Sequence, residues 1–201
     1  EGEQHGLSKS YNVDGYLEKE VNYKDGKKDG LWKWYEDGKL RQERNYKEGE
    51  QHGLSKSYNV DGYLEMVSNY KDGKKDGFNK NFDKNGQLWH KQNYKDGKKN
   101  GLMKTWWDKG QLLEKGKFKD GRKEGLFKQW YENGQLRWEF NYKEGEMDGV
   151  LRKWYENGQL KTEVNIKDGK FDGIFKEYSE EGKLIEKRTF KKGELINTET
   201  F

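Results

Sequence analysis

Three interleaved series of glycines dominate this sequence. One runs Gly6, Gly30, Gly53, Gly77, Gly101, Gly125, Gly149, Gly173; a second runs Gly15, Gly38, Gly62, Gly86, Gly110, Gly134, Gly158, Gly182. A third runs Gly2, Gly26, Gly49, Gly73, Gly97, Gly121, Gly145, Gly169, Gly193, which leaves Gly116 as the single glycine outside the pattern. The period is about 24 residues, and such self-similarity marks a stacked repeat architecture. Glu1 to Glu18 also recurs letter for letter as Glu48 to Glu65, so the repeats multiplied by copying.

Glycines so closely spaced leave no room for a useful helix. After Gly125 the order is Leu-Phe-Lys-Gln-Trp-Tyr, then Glu-Asn-Gly, then an aromatic-rich run to Tyr142, then a second polar turn. Apolar and aromatic runs bounded by such turns read as strand, turn, strand, turn. The absence of proline suits strands that must all donate to a ladder. The expected fold is all-β: an open-ended, elongated antiparallel meander of about eight stacked hairpins. The array runs over 1–201 in approximate units 6–29, 30–52, 53–76, 77–100, 101–124, 125–148, 149–172 and 173–201. In the last unit residues 195–201 are expected to cap the final hairpin.

A three-residue Glu-Asn-Gly loop with Gly134 in the left-handed region pairs Trp130 with Leu136 and Leu126 with Phe140. That choice places the recurrent apolar positions Leu126, Trp130, Leu136 and Tyr142 on one face. The second repeat, Leu31 to Gly38, is one residue short, and the irregularity is expected in its first strand.

Composition narrows function more than fold. Only 29% of residues are hydrophobic against 39% charged, so a thick aliphatic interior is out of reach. Eight Trp, thirteen Tyr and nine Phe supply the buried area instead. The net charge of +4 is spread without a basic block, which argues against nucleic acid as partner. Without cysteine there are no disulfides or thiolate metal sites, and the compartment stays open between cytoplasm and an exported or envelope location. No apolar run approaches the ~20 residues of a membrane-spanning helix. Residue 1 falls inside a repeat, so the chain reads as an excised fragment or mature form.

No nucleophile, phosphate loop or metal-spaced histidine group emerges around His5, His52 and His90. The expectation is a non-enzyme without cofactor or metal. Carboxylates such as Asp25 and Asp29 sit in turns, where Asp serves local geometry and neighbouring lysines oppose a dication.

Two features point to binding. The third residue after the first-series glycine is Lys9, Lys33, Lys56, Lys80, Lys104, Lys128, Arg152 and Lys176, a cation ladder expected on the apolar face. Trp106, Trp130, Trp138 and Trp154 are expected to face one way, and Trp107, Tyr131 and Tyr155 the other. Lys80, Lys104, Lys128, Arg152, Trp106, Trp130, Trp138 and Trp154 form the candidate partner-binding face. A protein is the first expected partner. Anionic lipid or cell-wall glycan comes next, and an end-to-end homodimer through the terminal edge strands is a further expectation.

The segment Tyr-Lys-Asp-Gly-Lys-Lys-Asp-Gly at Tyr23 to Gly30, and again at Tyr70 to Gly77, is followed by Lys-x-x-Tyr/Trp and Asn-Gly-Gln-Leu. This resembles the MORN repeat, and more closely its bacterial tandem variant, found in proteins labelled as antitoxins or left uncharacterised. The second glycine of the standard repeat is missing here, which points to the variant. The resemblance spans essentially the whole chain. It implies a single-layer twisted sheet and a role in scaffolding, dimerisation or acidic-lipid contact.

Overall fold

The computed structural model describes residues 2–201, which form strands and turns with no helix among them. Two compact units divide the chain, Glu1–Lys98 and Lys99–Phe201. The N-terminal unit carries β1 (Gly6–Tyr11), β2 (Leu17–Lys24), β3 (Lys27–Glu36), β4 (Lys39–Lys47), β5 (Glu50–Tyr58), β6 (Leu64–Lys71), β7 (Lys74–Phe82) and β8 (Leu88–Lys95). The C-terminal unit takes up at β9 (Lys98–Trp106) and continues with β10 (Leu112–Lys119), β11 (Arg122–Trp130), β12 (Leu136–Lys143) and the short β13 (Glu146–Met147). It ends with β14 (Gly149–Trp154), β15 (Leu160–Lys167), β16 (Lys170–Tyr178), β17 (Leu184–Lys191) and β18 (Glu194–Thr200). Within each unit consecutive strands pair antiparallel, as the all-β meander requires, except that β13 and β14 are two pieces of one strand and both pair with β12. The last strand, β18, pairs with β17.

Two kinds of turn alternate. The Glu132-Asn133-Gly134 loop is three residues long, closed by Tyr131 N donating to Gln135 O at 2.9 Å, and Gly134 has φ 86°. The turns between hairpins have two residues, both at positive φ, as in Asp25 (49°) and Gly26 (71°). The second repeat corrects the sequence expectation. Its missing residue lies in the turn, where Asp37 (φ 50°) and Gly38 (φ 71°) make a two-residue turn between Glu36 and Lys39, and β3 is continuous. Asp-Gly tolerates two successive positive φ values, so the shorter loop costs the strand nothing.

The register also departs from expectation one residue after each loop. Trp130 pairs with Leu136 as predicted, but Arg137 is an extra residue, so Gln129 pairs with Trp138 and Phe127, not Leu126, meets Phe140. A one-residue bulge exchanges the faces. Leu126, Trp130 and Leu136 therefore share one face, while Tyr142 lies on the other with Phe127, their rings 5.0 Å apart.

The core lies on the Phe127 face and is built around one row that runs across the strands, joined on β15 by the buried Thr162 and Ile166. In the C-terminal unit it includes Met103, Gly116, Phe127, Phe140, Leu151, Val164 and Phe175, with Phe127 fully buried and Val164 1% exposed. The equivalent row of the N-terminal unit turns polar: Ser55, Ser68, Asn79 and Gln92 are all buried. Asn79 Nδ2 donates to Ser68 Oγ at 2.6 Å, and Gln92 Nε2 to the Asn93 carbonyl at 2.7 Å. The Ser68–Asn79 pair tolerates burial because it is bonded, whereas Gln92 Oε1 is buried with no partner among the described residues. Leu126, by contrast, is 48% exposed.

Candidate functional site

The ladder of cations lies on the face opposite this core row, together with Leu126 and Trp130, which corrects its expected place among the core aromatics. The register sets a glutamate across from many of its members. Lys9 Nζ lies 2.9 Å from Glu20, Lys33 lies 3.8 Å from the same carboxylate, and Lys56 lies 3.0 Å from Glu43. In the C-terminal unit Lys128 and Arg152 flank Glu139 at 3.1 and 3.2 Å, and Arg152 reaches Glu163 at 2.7 Å. Sequence reasoning missed these acids. Their signal is a fixed offset of five residues from the second-series glycine, legible only once the bulge is placed.

The ladder shifts its own proton equilibria. Hydrogen bonds from Lys9 and Tyr35 hold the Glu20 carboxyl below its ordinary range. Burial, then the hydrogen bond to Glu20, pushes the Tyr35 phenol up to about 12; Tyr58 reaches about 12 in the same way beside Glu43. The hydrogen bond to Glu163 raises Arg152. These groups are locked in one charge state near neutrality, which suits a fixed electrostatic surface.

Of the candidate residues, Lys104 and Trp106 on β9, Lys128 and Trp130 on β11, and Arg152 and Trp154 on β14 share the cation face, and the tryptophans are half-buried. Lys80 on β7 holds the equivalent place in the N-terminal unit, its ammonium 5.0 Å from the ring centre of Phe78. Trp138 does not join them. The bulge at Arg137 sends it to the core face, where it lies 4.5 Å from Phe140 beside a shallow hollow of about 430 Å³. Tyr131, Arg137, Lys153, Lys161, Thr162 and the edge of Trp154 complete that hollow.

Trp107, Tyr131 and Tyr155 face away from Trp106, Trp130 and Trp154, and because the faces are exchanged that side is the core-row side rather than the one opposite it; they join successive repeats. Trp107 Nε1 donates to Trp130 O at 3.3 Å, Tyr131 Oη to Trp154 O at 2.8 Å, and Tyr155 Oη to Tyr178 O at 2.9 Å. Asn133 and Asn157 do the same one turn further out, to Glu156 O and Glu180 O. These bonds hold neighbouring loops in register and fix the spacing of the tryptophan row.

His5 and His52 stand beside turn aspartates, Asp25 at 3.7 Å and Asp72 at 3.4 Å. Among the described residues no group of three or more His, Cys, Asp or Glu side chains is placed to hold a metal ion.

Comparison with curated proteins finds no match. Among solved structures, the crystal structure of TarM is similar at 16% identity and a TM-score of 0.33, covering 47% of this chain and 20% of that one. A mutant of S. aureus TarM in complex with fondaparinux, alpha-GlcNAc-glycerol and UDP is similar at 13% identity and the same TM-score of 0.33, covering 53% and 21%. This chain thus spans about a fifth of those proteins. The repeat family described as MORN repeat variant matches at 28–48, 75–96, 99–120, 123–144, 147–168 and 171–192. Each matched segment holds one hairpin of the meander, and together they cover more than half of the sequence, so the chain belongs to the MORN repeat variant family.

Proposed function

We propose that this chain is a non-catalytic scaffold that binds a protein partner on its cation face. The observation that carries the reading is the in-register row of half-buried Trp106, Trp130 and Trp154 beside Lys104, Lys128 and Arg152. Aromatic and cationic side chains held on rigid strands present contact area at little entropic cost, and such residues are enriched where proteins bind proteins. Lys80 extends the reading to the N-terminal unit.

A second reading rests on the hollow beside Trp138. Its aromatic floor and its cations Arg137, Lys153 and Lys161 suit an acidic cell-wall glycan or an anionic lipid headgroup. A homodimer is a third arrangement, since β18 pairs on one side and exposes Leu195 and Ile196.

The test is a pull-down from lysate of the source organism, run with the wild type beside a Lys80→Glu, Lys104→Glu, Lys128→Glu variant whose circular dichroism matches the parent. Retention of one protein species by the wild type alone is the expected result. Recovery of lipid or wall polysaccharide instead transfers the assignment to the second reading, and equal recovery by both chains rejects the cation face.

A further inference from the structure

The acids that neutralise the cation face are missing from one stretch of it. Glu20, Glu43, Glu139 and Glu163 hold the same place in their hairpins, and the other hairpins carry Val67, Lys91, Lys115 and Lys187 there. In the C-terminal unit Lys115 pairs with Lys104 on one side and with Lys128 on the other. Three lysines therefore stand side by side on adjacent strands, whose backbones lie about 4.8 Å apart. Lys128 has Glu139 at 3.1 Å, whereas neither Lys104 nor Lys115 has an acid within ion-pair distance among the described residues. Lys80 shows the same arrangement in its own unit, between Val67 and Lys91.

Like charges directly opposite one another destabilise a sheet. The remedy is present in the same chain, because four hairpins carry glutamate at this place and gain ion pairs by it. Lys115 is exposed, so no packing demand selects it. The flanks of the row are largely apolar: Leu102 and the 48% exposed Leu126 on one side, with Lys117 between them, and Trp106, Leu112 and Trp130 on the other. A ligand that offers charge alone leaves those flanks in water. A polypeptide whose carboxylates alternate with apolar side chains covers row and flanks together.

We propose that Lys104, Lys115 and Lys128, with Leu126, Trp106 and Trp130, bind an acidic polypeptide segment in which carboxylates are interleaved with apolar residues. The proposal rests on the protein-binding reading above and names its chemistry. Each bound carboxylate sits between two ammonium groups and supplies from outside the ion pairs that Glu139 and Glu163 supply from within.

The decisive variant is Lys115→Glu, which installs the residue other hairpins already carry. It gains partners in Lys104 and Lys128, so its unfolding midpoint rises, and a binding loss cannot be mistaken for misfolding. Fluorescence anisotropy of the full chain at low salt is read with a labelled peptide of alternating glutamate and leucine, with polyglutamate of equal charge, and with phosphatidylcholine vesicles containing phosphatidylserine. The expected result is tightest binding to the alternating peptide, weakened about tenfold or more by Lys115→Glu, the equivalent of about 1.4 kcal/mol. Unchanged peptide affinity in the variant overturns the proposal. So does polyglutamate or vesicle binding as tight as that of the peptide, or no peptide binding at all. If the peptide fails while the pull-down still yields a protein lost in its variant, the scaffold reading stands and only its acidic chemistry falls.

Discussion

The ring of Phe127 occupies the space where a side chain of Gly116 would stand: a Cβ added to Gly116 would lie 2.2 Å from Phe127 Cε1. Gly116 is the glycine that belongs to no series, and it is needed for room rather than for backbone conformation. Gly116→Ala is expected to destabilise the chain by about 1–3 kcal/mol through overpacking. Phe127→Leu in the same chain should recover part of that loss, so the double variant loses less than the two single losses added together. Urea denaturation of the four chains decides, and strict additivity would refute the steric account.

The tyrosine bonds between loops make a second expectation. Tyr131→Phe and Tyr155→Phe each remove one hydrogen bond to the next repeat, at 2.8 and 2.9 Å, and leave the ring in place. Each is expected to cost about 1 kcal/mol. Faster amide exchange in the loop of the repeat that loses the bond, with the other loops unchanged, is the accompanying signature.

Alkaline pH should loosen the N-terminal unit. The Tyr35 and Tyr58 phenols are raised to about 12, so folding favours their neutral form. That contribution is complete below the unfolded pKa of about 10 and disappears as pH climbs towards 12. Absorbance titration should show Tyr35 and Tyr58 among the late-ionising phenols, with Tyr70, Tyr94 and Tyr155 also raised by burial, and Tyr35→Phe should remove one of the latest. Ionisation of both at the ordinary pH would contradict the burial and the bonds to Glu20 and Glu43.

First-series glycines should differ in sensitivity. Gly173 has φ +107°, and a Cβ there would meet Asn165 Nδ2 at 3.0 Å. Gly125 has φ +71° and open space around it, facing a strand that carries Lys117 where others carry Asn. Gly125→Ala is expected to cost about 1–2 kcal/mol from backbone conformation alone, and Gly173→Ala more. Thermal melts of both variants test the order, and Asn165→Ala beside Gly173→Ala should narrow the gap.

Much of this architecture was written in the glycine periods. They located the hairpins, the Glu-Asn-Gly loop and the pairing of Trp130 with Leu136. The bulge at Arg137 was not legible, because no special residue type marks it: Glu18, Arg41, Trp89 and Lys161 stand at the same place in other repeats. Missing it exchanged the faces and moved Trp138 to the wrong side. It also conceals the core, because recurrence does not mark burial in this chain. Leu126 recurs and is exposed, while the core row varies through the half-buried Trp32 and the buried Ser55, Asn79, Met103, Phe127 and Leu151, each fitted to its own two neighbours. The cation ladder was visible, but its glutamates were not, since cross-strand partners follow from register alone.

The bonds from Tyr131 and Tyr155 to the following loop have one more consequence. At 23 residues they and the bonds from Trp107, Asn133 and Asn157 are the longest-range side-chain hydrogen bonds among the described residues. No tie of this kind reaches beyond the adjacent hairpin, so a whole hairpin inserted or removed severs only what its two neighbours can remake. Inheritance by copying and folding by local zipping then share one quantum, and natural selection can set the length of the array by counting.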